Sequence, residues 1–118
     1  MKICSFSVPG RAVPAVRMTQ RSKYSRPAKR YLRYKKQVAW TARSAYKGNP
    51  TTGNVGVNLN IYLKGGNQGD IDNYFKSVTD SLNKIVYLDD RQVKEMNARK
   101  LDCDTHDDER VEVVVYEL

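Results

Sequence analysis

The chain has 118 residues and a formal net charge of +8 at pH 7, from 21 Lys and Arg against 13 Asp and Glu. That length is one domain's worth, able to bury about two-thirds of its unfolded surface, and a single domain over residues 1–118 is expected. No apolar run approaches the ~20 residues a bilayer demands, and Met1–Gly10 lacks the apolar core of a secretory signal.

The distribution of charge narrows the partner. No Asp or Glu precedes Asp70. Residues 1–69 carry 14 Lys and Arg and no acid, while residues 70–118 carry 7 Lys and Arg and all 13 acids, so the halves stand at +14 and −6. Solvated surfaces normally mix both signs. A wholly basic half repels itself unless it faces the acidic half or a polyanion, and phosphate backbones are the commonest polyanion. Acidic lipid headgroups come next, but the basic segment is interleaved with Tyr and Pro and has no strong Leu/Phe face, so no membrane partner is expected. Cys4 and Cys103 lie near opposite ends without metal-type spacing, and read as buried, reduced thiols of a cytoplasmic protein.

Lys2–Val8 reads as a short strand ended by Pro9-Gly10. Arg11–Pro27 has loop composition and is basic. From Ala28 to Lys47 the period becomes helical, with Tyr31, Leu32, Val38, Ala39, Ala42, Ala45 and Tyr46 on one broad face and Lys29, Arg33, Lys36, Arg43 and Lys47 largely outside it. Core packing is expected for Trp40 and Tyr46; Tyr24 and Tyr34 are open between packing and stacking on bases. Gly48-Asn49-Pro50 stops this helix.

Val55, Val57, Leu59, Ile61 and Leu63 then alternate strictly with less apolar residues, the clearest strand in the chain. A glycine loop, Gly65–Gly69, leads into a second helix from about Ile71 to Lys84, with Ile71, Phe75, Val78, Leu82 and Ile85 expected on its core side. Tyr87–Asp90 reads as a turn. Val93–Leu101, ambiguous by period, is taken as a strand, Asp102–Arg110 as a solvated acidic turn and Val111–Leu118 as a closing strand. The order β-α-β-α-β-β predicts an α+β domain, a mixed sheet of about four strands covered by two helices.

Chemistry is best sought where the strand, the glycine loop and the second helix meet. Asp70 and Asp72 bracket the helix start, Lys76 follows Asp72 by four residues and Asp80 by four more, and Asp89-Asp90 lie in the turn beyond. Three carboxylates in one cleft raise one another's pKa, and a hard divalent cation removes that conflict. Such a cation polarises a phosphate and acidifies an attacking water, while a lysine offsets charge growing at the phosphorus. Aspartates with one lysine are thus what metal-assisted phosphodiester hydrolysis requires. Plainer roles are open to each residue: Asp70 as a helix cap, Asp72 as a partner of the helix dipole or of Lys76, Asp89-Asp90 as turn residues. His106, within Asp102–Glu109, lacks the spacing of a calcium loop and is read as part of a solvated hairpin. Arg17, Arg21, Lys23, Arg26, Lys29, Arg30 and Arg33 form the candidate phosphate-binding set.

The segment GDIDNYFKSVTDSLNKIVYLDDRQVK, Gly69–Lys94, resembles the signature of the RusA family of Holliday-junction resolvases. The matching features are Asp-x-Asp-Asn, a lysine four residues after the second Asp, an Asp–Leu pair, and Asp-Asp-x-Gln-Val. Val8–Arg17 resembles the family's opening strand and basic loop more weakly, with Pro14-Ala15-Val16-Arg17 where many members have Asn near Pro-Pro or Pro-Ser. The resemblance implies a homodimeric endonuclease of DNA recombination and repair, common in phages, that nicks four-way junctions symmetrically with Mg²⁺ (Mn²⁺ as substitute) and no small-molecule cofactor. It implies Asp70, Asp72 and Asp90 as the essential, metal-holding carboxylates and Lys76 as the lysine at the phosphate, with Asp89 secondary and Asp80 structural or supporting. Two-fold symmetry in a dimer suits a junction whose opposite strands are cut. The rivals are a non-cutting branched-DNA or RNA binder, a nuclease for flaps or other branches, and an interaction module without nucleic acid.

Overall fold

In the computed structural model, which describes residues 1–118, four strands and two helices follow the expected order: β1 (Lys2–Pro9), α1 (Arg26–Ala45), β2 (Val55–Leu63), α2 (Ile71–Ser81), β3 (Val93–Asp102) and β4 (Arg110–Glu117). One sheet runs β1-β4-β2-β3. β4 is antiparallel to both β1 and β2, whereas β2 and β3 are parallel, joined through α2 as a parallel pair requires. Both helices take part in a core of 20 buried residues to which all four strands contribute or pack.

The alternation in β2 does what its pattern implies: Val55, Val57, Leu59, Ile61 and Leu63 are buried, opposite Val111, Val113 and Val115 of β4. The pattern in β3 is weak because this strand is an edge with no fully buried residue, only Val93, Ala98 and Leu101 being half-covered among its apolar side chains. β4 is an inner strand, so the C-terminal segment has no free backbone edge.

Ser25 caps α1, its hydroxyl accepting from the Ala28 N–H at 3.3 Å, and Pro27 sits in the first turn, so the helix begins two residues before the expected Ala28. Its buried stripe is Ala28, Tyr31, Tyr34, Val38 and Ala42, rotated from the expected face. Leu32 is exposed, Tyr46 is half-buried, and Trp40, expected in the core, is 75% exposed. Five residues at steps of three or four suffice to bury one side of a helix, and Trp40 falls on the other side. Tyr34, left open by the sequence, is buried.

α2 ends at Ser81, three residues before the expected Lys84. The Leu82 N–H turns back to the Thr79 carbonyl, Lys84 adopts φ 66°, and its N–H bonds the Tyr87 carbonyl. The fully buried Tyr87 hydroxyl donates to the Thr79 carbonyl at 2.6 Å, so a tertiary contact satisfies a helix-end acceptor. Ile71 is 39% exposed rather than on the core side, while Phe75, Val78 and Leu82 are buried as expected and Ile85 is half-buried. Of the two free thiols Cys4 is buried and Cys103 only partly so.

Candidate active site

The glycine loop delivers Asp70 to the start of α2, and its path is held at both ends. Gly65 and Gly66 have φ of 50° and 75°, a region that favours glycine. The Arg11 guanidinium donates to the carbonyls of Lys64 (3.4 Å), Gly65 (2.8 Å) and Asn67 (3.0 Å), and pairs with Glu109. The Glu109 side chain, 4% exposed, also accepts from the Lys64 N–H at 3.0 Å and stands 3.2 Å from His106 Nδ1. The Lys64 N–H, then His106 and Arg11, hold the Glu109 carboxyl below the usual range. At the far end the Gly69 N–H donates to the Tyr74 hydroxyl (2.9 Å), and Lys100 Nζ donates to the Gly69 carbonyl (3.2 Å).

Glu109 therefore corrects the reading of Asp102–Arg110 as a wholly solvated turn. It is buried because Arg11 and two further donors meet it there, and a carboxylate so bonded tolerates burial. Nothing in the local composition marks Arg11 or Glu109, since the partners lie 98 positions apart.

Asp70 occupies the N-cap of α2, and its backbone carbonyl accepts from Asn73 and Tyr74, but its side chain makes no capping bond. The exposed carboxylate is free for other work. Asp72, also exposed, accepts from the Asn73 N–H at 3.0 Å. The four ion pairs of the structure include neither Asp72 nor Lys76, so the surface pair their spacing permits is not made. Lys76 instead lines a cleft of about 530 Å³ with Arg17, Lys35, Tyr31, Asn73 and Asp80. The Ala15 N–H bonds the Asn73 carbonyl at 2.9 Å, fastening the basic loop across α2.

Asp80 is half-buried and accepts from the Tyr31 hydroxyl at 3.3 Å, linking the two helices. Asp90 opens a short 3₁₀ turn, Asp90–Gln92. Burial raises the Asp90 carboxyl above the ordinary range, and the neighbouring Asp80 and Asp89 carboxyls push it the same way. Asp89 is held low, first by the Arg91 N–H that it accepts at 2.8 Å.

Gln92 anchors this turn: its Oε1 accepts from the N–H groups of Leu88 and Asp89, and its Nε2 donates to the carbonyls of Thr51 and Gly53. The glutamine of the Asp-Asp-x-Gln-Val motif thus positions the aspartates before it. Asp80 and Asp89 lie near enough to Asp90 to raise its carboxyl, Asp70 stands at the N-cap of α2 and Asp72 in its first turn, and no three acid, His or Cys side chains stand ready-grouped to hold a metal ion.

Arg17, Arg21, Lys23, Arg26, Lys29, Arg30 and Arg33 are all exposed, and none is in an ion pair. The last four line a hollow of about 260 Å³ on α1. No helix is long and apolar enough to cross a membrane. A comparison with curated proteins gives no match. The chain matches the family model described as Endodeoxyribonuclease RusA over residues 9–116, from the end of β1 into β4. This chain belongs to the RusA family of endodeoxyribonucleases.

Proposed function

We propose that the protein is a divalent-cation-dependent endonuclease that resolves four-way DNA junctions by paired nicks, acting as a homodimer in recombination and repair. Asp70, Asp72 and Asp90 are its catalytic carboxylates and cation ligands, and Lys76 serves the scissile phosphate. The observation that carries the reading is that the exposed Asp70 carboxylate at the start of α2 caps nothing, and that Lys76, on the same helix, pairs with nothing while it lines a cleft with Arg17 and Lys35. A purely structural helix start would use its Asp as a cap.

The donor set suits a hard cation in its chemistry. Mg²⁺ takes one or two carboxylates and fills its remaining positions with water and substrate phosphate, so a complete protein cage is unnecessary before DNA arrives. When bound, Mg²⁺ or Mn²⁺ supplies Lewis acidity and an acidified water. Arg17 and Lys35 bind backbone phosphates at the cleft, and the Lys76 ammonium offsets negative charge gathering on the phosphate oxygens. Asp80, fixed by Tyr31, supports Asp90 rather than acting directly.

The test is a labelled immobile junction and a matching linear duplex, incubated with protein and Mg²⁺, with Asp72→Asn alongside. Paired nicks in the junction alone, lost in a variant that still binds, are expected. Binding without nicks under Mg²⁺ or Mn²⁺, across several junction sequences, makes the protein a branched-DNA binder instead.

A further inference from the structure

The side of α1 that faces away from the domain carries a pattern the catalytic reading does not use. At 3.6 residues per turn, Trp40 lies about 180° from the centre of the buried stripe Ala28, Tyr31, Tyr34, Val38 and Ala42. Arg26, Lys29, Arg30, Arg33, Lys36 and Arg43 all fall within about 80° of Trp40 on that projection. They span about 25 Å of helix axis at 1.5 Å per residue. Every one is exposed, and none has a carboxylate partner.

Two features make this arrangement costly for the free protein. Arg26, Lys29 and Arg30 crowd the N-terminal turns, where the helix dipole disfavours cations, and no acid is present there to offset them. An indole 75% exposed leaves a large apolar ring in water. Beyond Trp40 the stripe runs into a hollow of about 340 Å³ that Arg43, Lys47 and Lys84 line together with Tyr46.

A second copy of the stripe is a poor cover, because cations would meet cations. A lipid surface is a poor one too, since the ring has cations rather than an apolar face around it. A nucleic-acid strand satisfies both features, its phosphates matching the cations and its bases the indole.

We propose that the outer face of α1, from Arg26 to the hollow at Arg43, Lys47 and Lys84, is a DNA-binding surface separate from the catalytic cleft, on which Trp40 stacks against a nucleobase unpaired where the junction arms part. The inference rests on the DNA-junction reading for its ligand and is independent of which residues cut.

Trp40 is the chain's single tryptophan, so intrinsic emission reports on this position alone. The full-length protein is titrated with an unlabelled immobile four-way junction in EDTA, while anisotropy of a labelled junction measures binding separately. Quenching of emission that saturates with the anisotropy curve is expected. Trp40→Phe retains affinity within a few-fold, and Trp40→Ala weakens it by about 5- to 100-fold, the range for loss of one base–aromatic stack. Lys36→Gln with Arg43→Gln lowers the slope of log affinity against log salt by about two.

Junction binding by anisotropy with no change in Trp40 emission overturns the proposal and leaves the nuclease reading intact, because nicking is scored separately. Emission that responds to dilution of the protein but not to DNA also overturns it, in favour of a second copy covering the ring. No junction binding by the wild type overturns the proposal and the reading beneath it together.

Discussion

Gly69→Ala tests whether the approach to Asp70 is held by contact. Gly69 does not have a positive φ, so alanine strains no backbone there. A Cβ at this position stands 2.8 Å from both Cβ and Cγ of Pro14. Carbon atoms prefer about 3.5–4.0 Å, so the two segments must part by roughly 0.7 Å or more. The obstacle is a rigid ring on a loop bonded to α2 through Ala15 and Asn73, which cannot swing aside as a long side chain does. Overpacking of this kind costs about 1–3 kcal/mol. Displacement is passed to Asp70, the next residue, or to the loop bearing Arg17, and a misplacement near 1 Å lowers a rate by up to about 100-fold.

Single-turnover nicking of a junction at saturating protein measures the chemical effect, and urea unfolding measures the stability. We expect a rate loss of tens-fold with a lowered unfolding midpoint. Pro14→Gly in the same chain removes both contacting carbons and should restore much of the rate. A Gly69→Ala protein with wild-type rate and midpoint refutes the claim that Pro14 against Gly69 sets the position of Asp70.

Tyr87→Phe removes the hydroxyl that donates to the Thr79 carbonyl and leaves that carbonyl with the Leu82 N–H alone, so a loss of about 0.5–1.5 kcal/mol is expected, read as a lower urea midpoint at unchanged slope. For Glu109, whose folded carboxyl is lowered from 4.5, the stabilisation is present above the unfolded value and disappears as pH falls through the folded one. Urea melts from about pH 7 down to about pH 3 should show an acid limb that Glu109→Gln lacks, and a matching limb in the variant refutes the assignment.

How far the sequence alone reaches depends on whether the signal is local. The order of elements, the buried face of β2 and the core side of α2 at Phe75, Val78 and Leu82 follow from period and burial, and the structure contains them. The concentration of cations before Asp70 and the motif Gly69–Lys94 are likewise properties of the chain itself, and the family match covers them. The rotation of α1 was not legible. Trp40 and Leu32 carry the same apolar signal as Tyr31 and Val38, and only the sheet and α2 decide which side is covered. The site itself divides in the same way. Asp70, Asp72 and Lys76 all belong to one helix and its cap, and the four-residue step from Asp72 to Lys76 puts those two on the same helix face. Asp90 comes near enough to Asp80 to feel its charge from a turn that Gln92 ties to Thr51 and Gly53, about forty residues earlier. Arg11 and Glu109 meet only because β1 and β4 pair, bringing the chain's two ends side by side. Local chemistry was written in the sequence; contacts across long separations, which depend on how strands pair and helices turn, were decided by the tertiary fold.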